Sequence, residues 1–281
     1  MLARTTRCLA LLFLLLVGLG LAQEHHFQPG FNLFSKQQDI QLGQESAAQV
    51  RKQMTIVKDP FLNQYVNEVG KRLANSQEAR ASGFPFTFEI VADPTINAFA
   101  LPGGPMFINT GLLKTVDNEA QLAGVMGHEM SHVILRHGTN QASKSRLIEL
   151  PAILGSQIAG GSMAGQLAQL GIGLGANSVL LKFSRTDESQ ADLTGSHIMA
   201  ESGYDPNEMA RFFAKLSAQG GQSAPQFLSD HPNPDNRQRA IEDEVRAMPP
   251  RQYGHQTGDF QRMKQAVAKI HEPQPKRQAA R

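Results

Sequence analysis

The stretch Asp117-Asn118-Glu119-Ala120-Gln121-Leu122-Ala123-Gly124-Val125-Met126-Gly127-His128-Glu129-Met130-Ser131-His132-Val133-Ile134 decides the reading of this 281-residue chain. Leu122, Val125, Met126, Met130, Val133 and Ile134 recur at helical spacing, with Asp117 as a capping side chain and Glu119 in the first turn. Inside that helix, His128-Glu129-Met130-Ser131-His132 is an HExxH motif. Residues four apart on a helix differ by about 40° around its axis, so both imidazoles can meet one tetrahedral zinc ion. Glu129 is turned about 100° from His128 and about 60° from His132. It can therefore reach a water on the metal, and take its proton, without ligating the metal itself.

A reactive zinc keeps three protein ligands and one open position, so a third ligand is required. The longer pattern HExxHxxGxxH fails, because Leu135 stands at its glycine position and Gly138 at its last histidine. His137 is nine residues after His128, and a continued helix carries it to the opposite side, where it meets terminal carbonyls. The segment Phe183-Ser184-Arg185-Thr186-Asp187-Glu188-Ser189-Gln190-Ala191-Asp192 offers Glu188 and Asp192 on one helix face. Glu188 can ligate zinc while Asp192 accepts from the far nitrogen of His128 or His132, fixing its tautomer. The other reading is a solvated acidic face with an Arg185–Glu188 ion pair, and spacing does not choose between the two.

Outward from the motif the chain reads as α+β and mostly helical. Helices are expected over Asp39–Met54, from the Asp59-Pro60 cap onward, over Phe183–Ser202, from Asp205-Pro206 to Ala218, and over Pro234–Ala247. Phe86–Val91 alternates as a strand, Ile96–Leu101 and Met106–Asn109 form two more, and Pro102-Gly103-Gly104-Pro105 supplies the turn. The start has the parts of an export signal: Arg4 and Arg7, an apolar run from Leu9 to Leu21, and the small-x-small site Gly20-Leu21-Ala22. Cys8 precedes that run, so residues 23 onward contain no cysteine and no disulfide. Removing Arg4 and Arg7 leaves 25 basic against 25 acidic residues, which gives no footprint for nucleic acid. The expected organisation is a signal peptide over 1–22, one domain over 23–247, and a C-terminal extension over 248–281 whose last ten residues are disordered. Leu150–Leu181 has no charge and contains seven glycines. It reads as a buried or lid-like helical segment, with contact to a membrane surface as the alternative. The spacings of His25, His26, His197, His255 and His271 match no ligand set, and these are read as solvent-facing or structural.

HExxH, the later Ser184-Arg185-x-x-Glu188-x-x-Ala191-Asp192-x-x-Gly195 and the pair His231-Pro232 together resemble the zinc peptidases grouped with HtpX and the CAAX prenyl proteases. The resemblance covers Gln38 to Val245 and is strongest to the soluble periplasmic BepA/LoiP-like members, without their helical-repeat module. It implies a zincin-like fold of gluzincin type and one Zn²⁺ per subunit held by His128, His132 and Glu188, with Asp192 behind a histidine. It implies that Asn97, Ala98, Phe99 and Ala100 form an edge strand beside the site, able to pair with an extended peptide. His231 and Arg237 would face the substrate carbonyl, or His231 would approach the zinc as a reversible fourth ligand. The implied activity is zinc-dependent endopeptidase action on unfolded or misassembled envelope proteins, in a bacterial periplasm, with Glu129 activating water. A latent, chaperone-like factor using the same cleft is the other function class.

Overall fold

The computed structural model describes residues 25–153, 183–218, 226–232 and 236–273. The expected signal peptide and nearly all of the uncharged segment lie outside these residues, as do Pro234 and the final eight positions. Among the described residues no helix is long and apolar enough to cross a membrane.

Helix α1, Lys36–Gln53, opens on a capping box in which Ser35 and Gln38 satisfy one another's backbone N–H groups. Helix α2, Pro60–Ala74, starts as expected with Asp59 accepting from the Leu62 N–H. It buries Leu62, Tyr65, Val66, Val69 and Leu73. A short α3, Gln77–Ser82, leads into β1, Thr87–Val91. The chain then crosses to the outer edge as β2, Ala98–Ala100, and turns back as β3, Pro105–Asn109. The sheet order is β1-β3-β2, with β1 parallel and β2 antiparallel to the central β3. Gly103 and Gly104 take positive φ at the turn between β2 and β3, where a side chain would be strained. Among the described residues no strand pairs with the outer edge of β2.

After α4, Thr110–Thr115, comes the motif helix α5, Glu119–Ile134. Asn118 caps it rather than Asp117, by accepting from Gln121 N–H, while the Asp117 carboxylate faces Lys215 at 2.6 Å. Glu119 is buried in the first turn, where a carboxylate is favoured. It accepts from Tyr65 and Tyr204 hydroxyls, each at 3.0 Å, and from the Thr257 N–H. One buried carboxylate thus ties α5 to α2 and to the chain beyond α5.

Helix α6, His137–Ile153, follows at once. The helix expected over Phe183–Ser202 is α7, Arg185–Glu201, capped by Ser184. Then come α8 (Asn207–Ala218), α9 (Gln226–Asp230), α10 (Arg237–Ala247) and α11 (Phe260–Val267). Beyond Ala247, Met263 and Val267 of α11 are fully buried in the core that also holds Val66, Leu112, Met126 and Phe213. Glu272 accepts from Lys114 at 2.6 Å, and of the last ten residues, expected to be disordered, the final eight lie outside the described residues.

Helices α5 and α7 cross through glycine. A Cβ on Gly195 would stand 3.1 Å from the His128 backbone nitrogen and 3.2 Å from the Gly127 carbonyl carbon, contacts that only displaced backbones could accept. Gly195→Ala is therefore expected to cost about 1–3 kcal/mol by overpacking, read as a lower urea midpoint. An unchanged midpoint would show that the crossing tolerates a methyl group.

Candidate active site

The crossing places one turn of α7 against the HExxH turn of α5. His128 Nε2 and His132 Nε2 stand 3.1 Å apart. Glu188 reaches both, at 3.3 Å and 3.4 Å. From the other side His231, just after α9, brings Nδ1 to 3.3 Å from His128 Nε2 and 3.0 Å from Glu188 Oε1. All four side chains are buried, and their ligating atoms lie within 4.8 Å of one another. Donors about 2.0–2.1 Å from a tetrahedral ion stand about 3.4 Å apart, so the residues present fit a four-coordinate metal. Their charges fit as well, because Glu129, Glu188 and Asp192 outnumber the one buried cation among them, Arg237.

Each donor is held from behind. His128 Nδ1 lies 2.9 Å from Asp192 Oδ1, and Arg237 donates to Asp192 at 2.5 Å and 2.9 Å and to Glu188 Oε2 at 3.0 Å. The Arg237 guanidinium lies over the Phe213 ring, 4.0 Å from its centre. Phe183 stacks on His132 at 3.9 Å, and Phe227 on His231 at 4.6 Å. Arg237 is thus engaged under the donors, with both carboxylates as its partners.

His137 corrects the sequence reading. Arg136 adopts φ 57°, rare for a side chain other than glycine, and donates to Asp39 of α1 and to the Phe34 carbonyl. That break starts α6 on a new axis. His137 Nδ1 comes back to 2.9 Å from His132 Nδ1, with Nε2 on Gln190 at 3.1 Å. The sequence carried a weak signal for this, in a polar Arg136-His137-Gly138 break at the end of an apolar helix.

Glu129 sits beside the cluster and 2 % exposed. Its Oε2 accepts from the Ala100 N–H at 3.1 Å. Oε1 lies 3.2 Å from His231 Nε2 yet takes no hydrogen bond of good geometry, so it points into the site with lone pairs to spare. Burial, reinforced by Glu188, pushes the Glu129 carboxyl up to about 7, against the opposing pull of His231 and the Ala100 N–H. Burial would also raise Glu188, but His128, His132 and His231 hold it well below the usual carboxylate range. Burial would lower His128, whereas Glu188 and Asp192 raise it; His132 is lowered well below its ordinary value by burial.

Strand β2 forms the wall. Asn97 O and Leu101 N bond toward β3, so the backbones of Ala98 and Ala100 face the free edge. Phe99 stacks on Phe107 at 5.3 Å. Asn97 turns its amide to Asp230 Oδ2 at 3.0 Å, next to His231.

Residues 60–245 match the sequence profile of peptidase family M48. The chain belongs to this family. Over 207 residues it is 34% identical to the beta-barrel assembly-enhancing protease of Escherichia coli strain K12, an alignment covering 71% of this chain and 42% of that protein. A putative beta-barrel assembly-enhancing protease of Vibrio cholerae is 30% identical over 220 residues, 76% of this chain and 45% of its own. The mitochondrial metalloendopeptidase OMA1 of Schizosaccharomyces pombe is 33% identical over 181 residues, 64% of this chain and 52% of its own. The chain thus spans less than half the length of the bacterial relatives it matches. Membership of M48 accounts for a mostly helical, zincin-like chain with a three-stranded sheet and a His128–His132–Glu188 group.

Asp192→Asn removes the anion behind His128 Nδ1 and leaves Arg237 half-paired. The expected result is metal affinity weakened about 10–100-fold, measured by competition with a chromophoric chelator. Unchanged affinity would deny Asp192 a part in holding the ligand.

Proposed function

We propose that this chain is a zinc-dependent endopeptidase with one catalytic Zn²⁺, acting on unfolded or misassembled cell-envelope proteins in a bacterial periplasm. The observation that carries the proposal is a buried carboxylate without a hydrogen-bond donor on Oε1, beside four converging metal donors. The export-like start and the relatives named beta-barrel assembly-enhancing protease support the compartment and substrate class.

His128, His132 and Glu188 would hold the ion, which when bound supplies a Lewis acid and acidifies water. Glu129 accepts the proton of the attacking water on Oε1 and returns it to the leaving amine. The free edge at Ala98 and Ala100 takes the scissile strand by backbone hydrogen bonds, with little demand on its side chains. Such an edge selects for extended chain with unpaired backbone groups, which an unfolded protein offers far more freely than a folded one. Arg237 positions Glu188 and Asp192. His231 would supply a fourth donor in this arrangement, and its displacement would open the site to water and peptide.

Glu129→Gln is expected to keep zinc while casein cleavage falls about 10²–10⁴-fold. Equal loss of zinc and activity would show instead that Glu129 is needed for the metal. Glu129 works as a base only when ionised, so cleavage should fall as pH drops through about 7 or somewhat below, the metal's charge shifting the limb toward acid. A flat profile from pH 8 to 5 would show that the Glu129 carboxyl does not titrate in that window in the zinc-loaded enzyme, and the Glu129→Gln comparison alone would then decide its role. His231→Ala should raise casein cleavage by vacating the fourth position. Activity lost with zinc still bound would mark His231 as a transition-state group.

A further inference from the structure

A second group of side chains lies at the other end of α7. His26 of the N-terminal segment, Glu78 of α3 and His197 of α7 each offer a ligand atom, all within 4.8 Å of one another. His197 Nδ1 is 3.5 Å and His26 Nδ1 3.8 Å from the same Glu78 oxygen. The two rings meet edge to face, 5.1 Å between centres and 87° apart, so neither blocks the other's approach to a shared point. These separations are close to the about 3.4 Å between donors of a tetrahedral ion.

Three further observations point to an occupant. His197 is buried, and its other nitrogen, Nε2, lies 2.7 Å from Glu244 Oε1 of α10. With Glu244 behind Nε2, Nδ1 is left to face Glu78. It can carry either a metal, as in metal-ligating histidines with a carboxylate behind them, or a proton. Burial opposes that proton, but the two carboxylates favour it in the metal-free molecule and raise His197 to about 9. Glu244 is itself held by the His25 N–H at 2.7 Å and approached by His25 Nδ1 at 2.5 Å. Both histidines face Glu78 Oε1, while its other oxygen, Oε2, is buried with no hydrogen-bond donor, so half of this carboxylate is left without a partner. The cluster also lines a cavity of about 370 Å³ shared with Lys36 and Arg136. Of these, Arg136 is committed to Asp39 at 2.6 Å, and Lys36 lies over the Phe84 ring.

We propose that His26, Glu78 and His197 form a second divalent transition-metal site, best suited to zinc, that fastens the N-terminal segment to α3 and α7. Two imidazoles and one carboxylate favour zinc over calcium or magnesium, which prefer all-oxygen ligands. The charges balance: one divalent ion against Glu78 and the Glu244 behind His197. The competing occupant is a proton on His197 Nδ1, which would make the group a chain of ion pairs.

The test counts zinc per chain by elemental analysis after zinc loading and dialysis, in the native protein, His26→Ala and Glu78→Gln. The His26 side chain is 61% exposed, so its removal takes nothing from the core. The expected result is one zinc equivalent fewer in each variant than in the native chain, with casein cleavage unchanged in both. Equal zinc content in all three would overturn the proposal and leave the proton as occupant. Calcium in place of zinc should show no difference between native and variant chains, and a calcium difference would overturn the assignment of metal class.

Discussion

The structure depends on how closely two backbones can approach. At the Gly127–Gly195 crossing α5 and α7 meet without side chains between them. Everything chemical follows from that spacing. His128 is the residue after Gly127, and Asp192 and Glu188 lie about one and two turns before Gly195 on the facing helix. Large residues at the crossing would set the helices at an ordinary packing distance of about 8–10 Å. The carboxylates would then stand too far from the imidazoles to share an ion with them.

The second constraint is electrostatic. Asp192 and Glu188 are buried beside one another, a placement that like charges resist. Arg237, itself buried and flat against Phe213, bridges the two and makes the arrangement tolerable before any metal arrives. Its fork matches two carboxylates at once, which a lysine's point charge would not do. Helix α10 is therefore part of the metal centre although it contributes no donor to it. Glu244, two turns further along the same helix, supports the second cluster, so α7 and α10 each serve both places.

Much of this was legible in the chain, and the parts that were not share a cause. The HExxH helix, the alternation at 87–91 and the Asp59-Pro60 start are local patterns, and the structure has them within a few residues. The pairing of Glu188 with His128 was readable only as one of two options, because spacing within a helix says nothing about which helix it will face. His137 was misread because its direction is set by Arg136, whose unusual φ is held by Asp39, 97 residues earlier. Helix α11 has eight residues with a strong apolar face but no clear cap, and its place in the core comes from packing against α2 and α4. The grouping of His26 with Glu78 and His197 joins three distant segments, which no spacing rule could reveal.

The hydrogen bond between Ala100 N–H and Glu129 Oε2 has a consequence for timing. That N–H belongs to the edge on which an incoming peptide strand would dock, and the same donor cannot serve both partners. On the proposed mechanism, a peptide carbonyl that paired with Ala100 would release the carboxylate, which would lose a stabilising donor and become a stronger base at that moment. Docking and activation would then be interlocked, the backbone to be cut being what sets the base free.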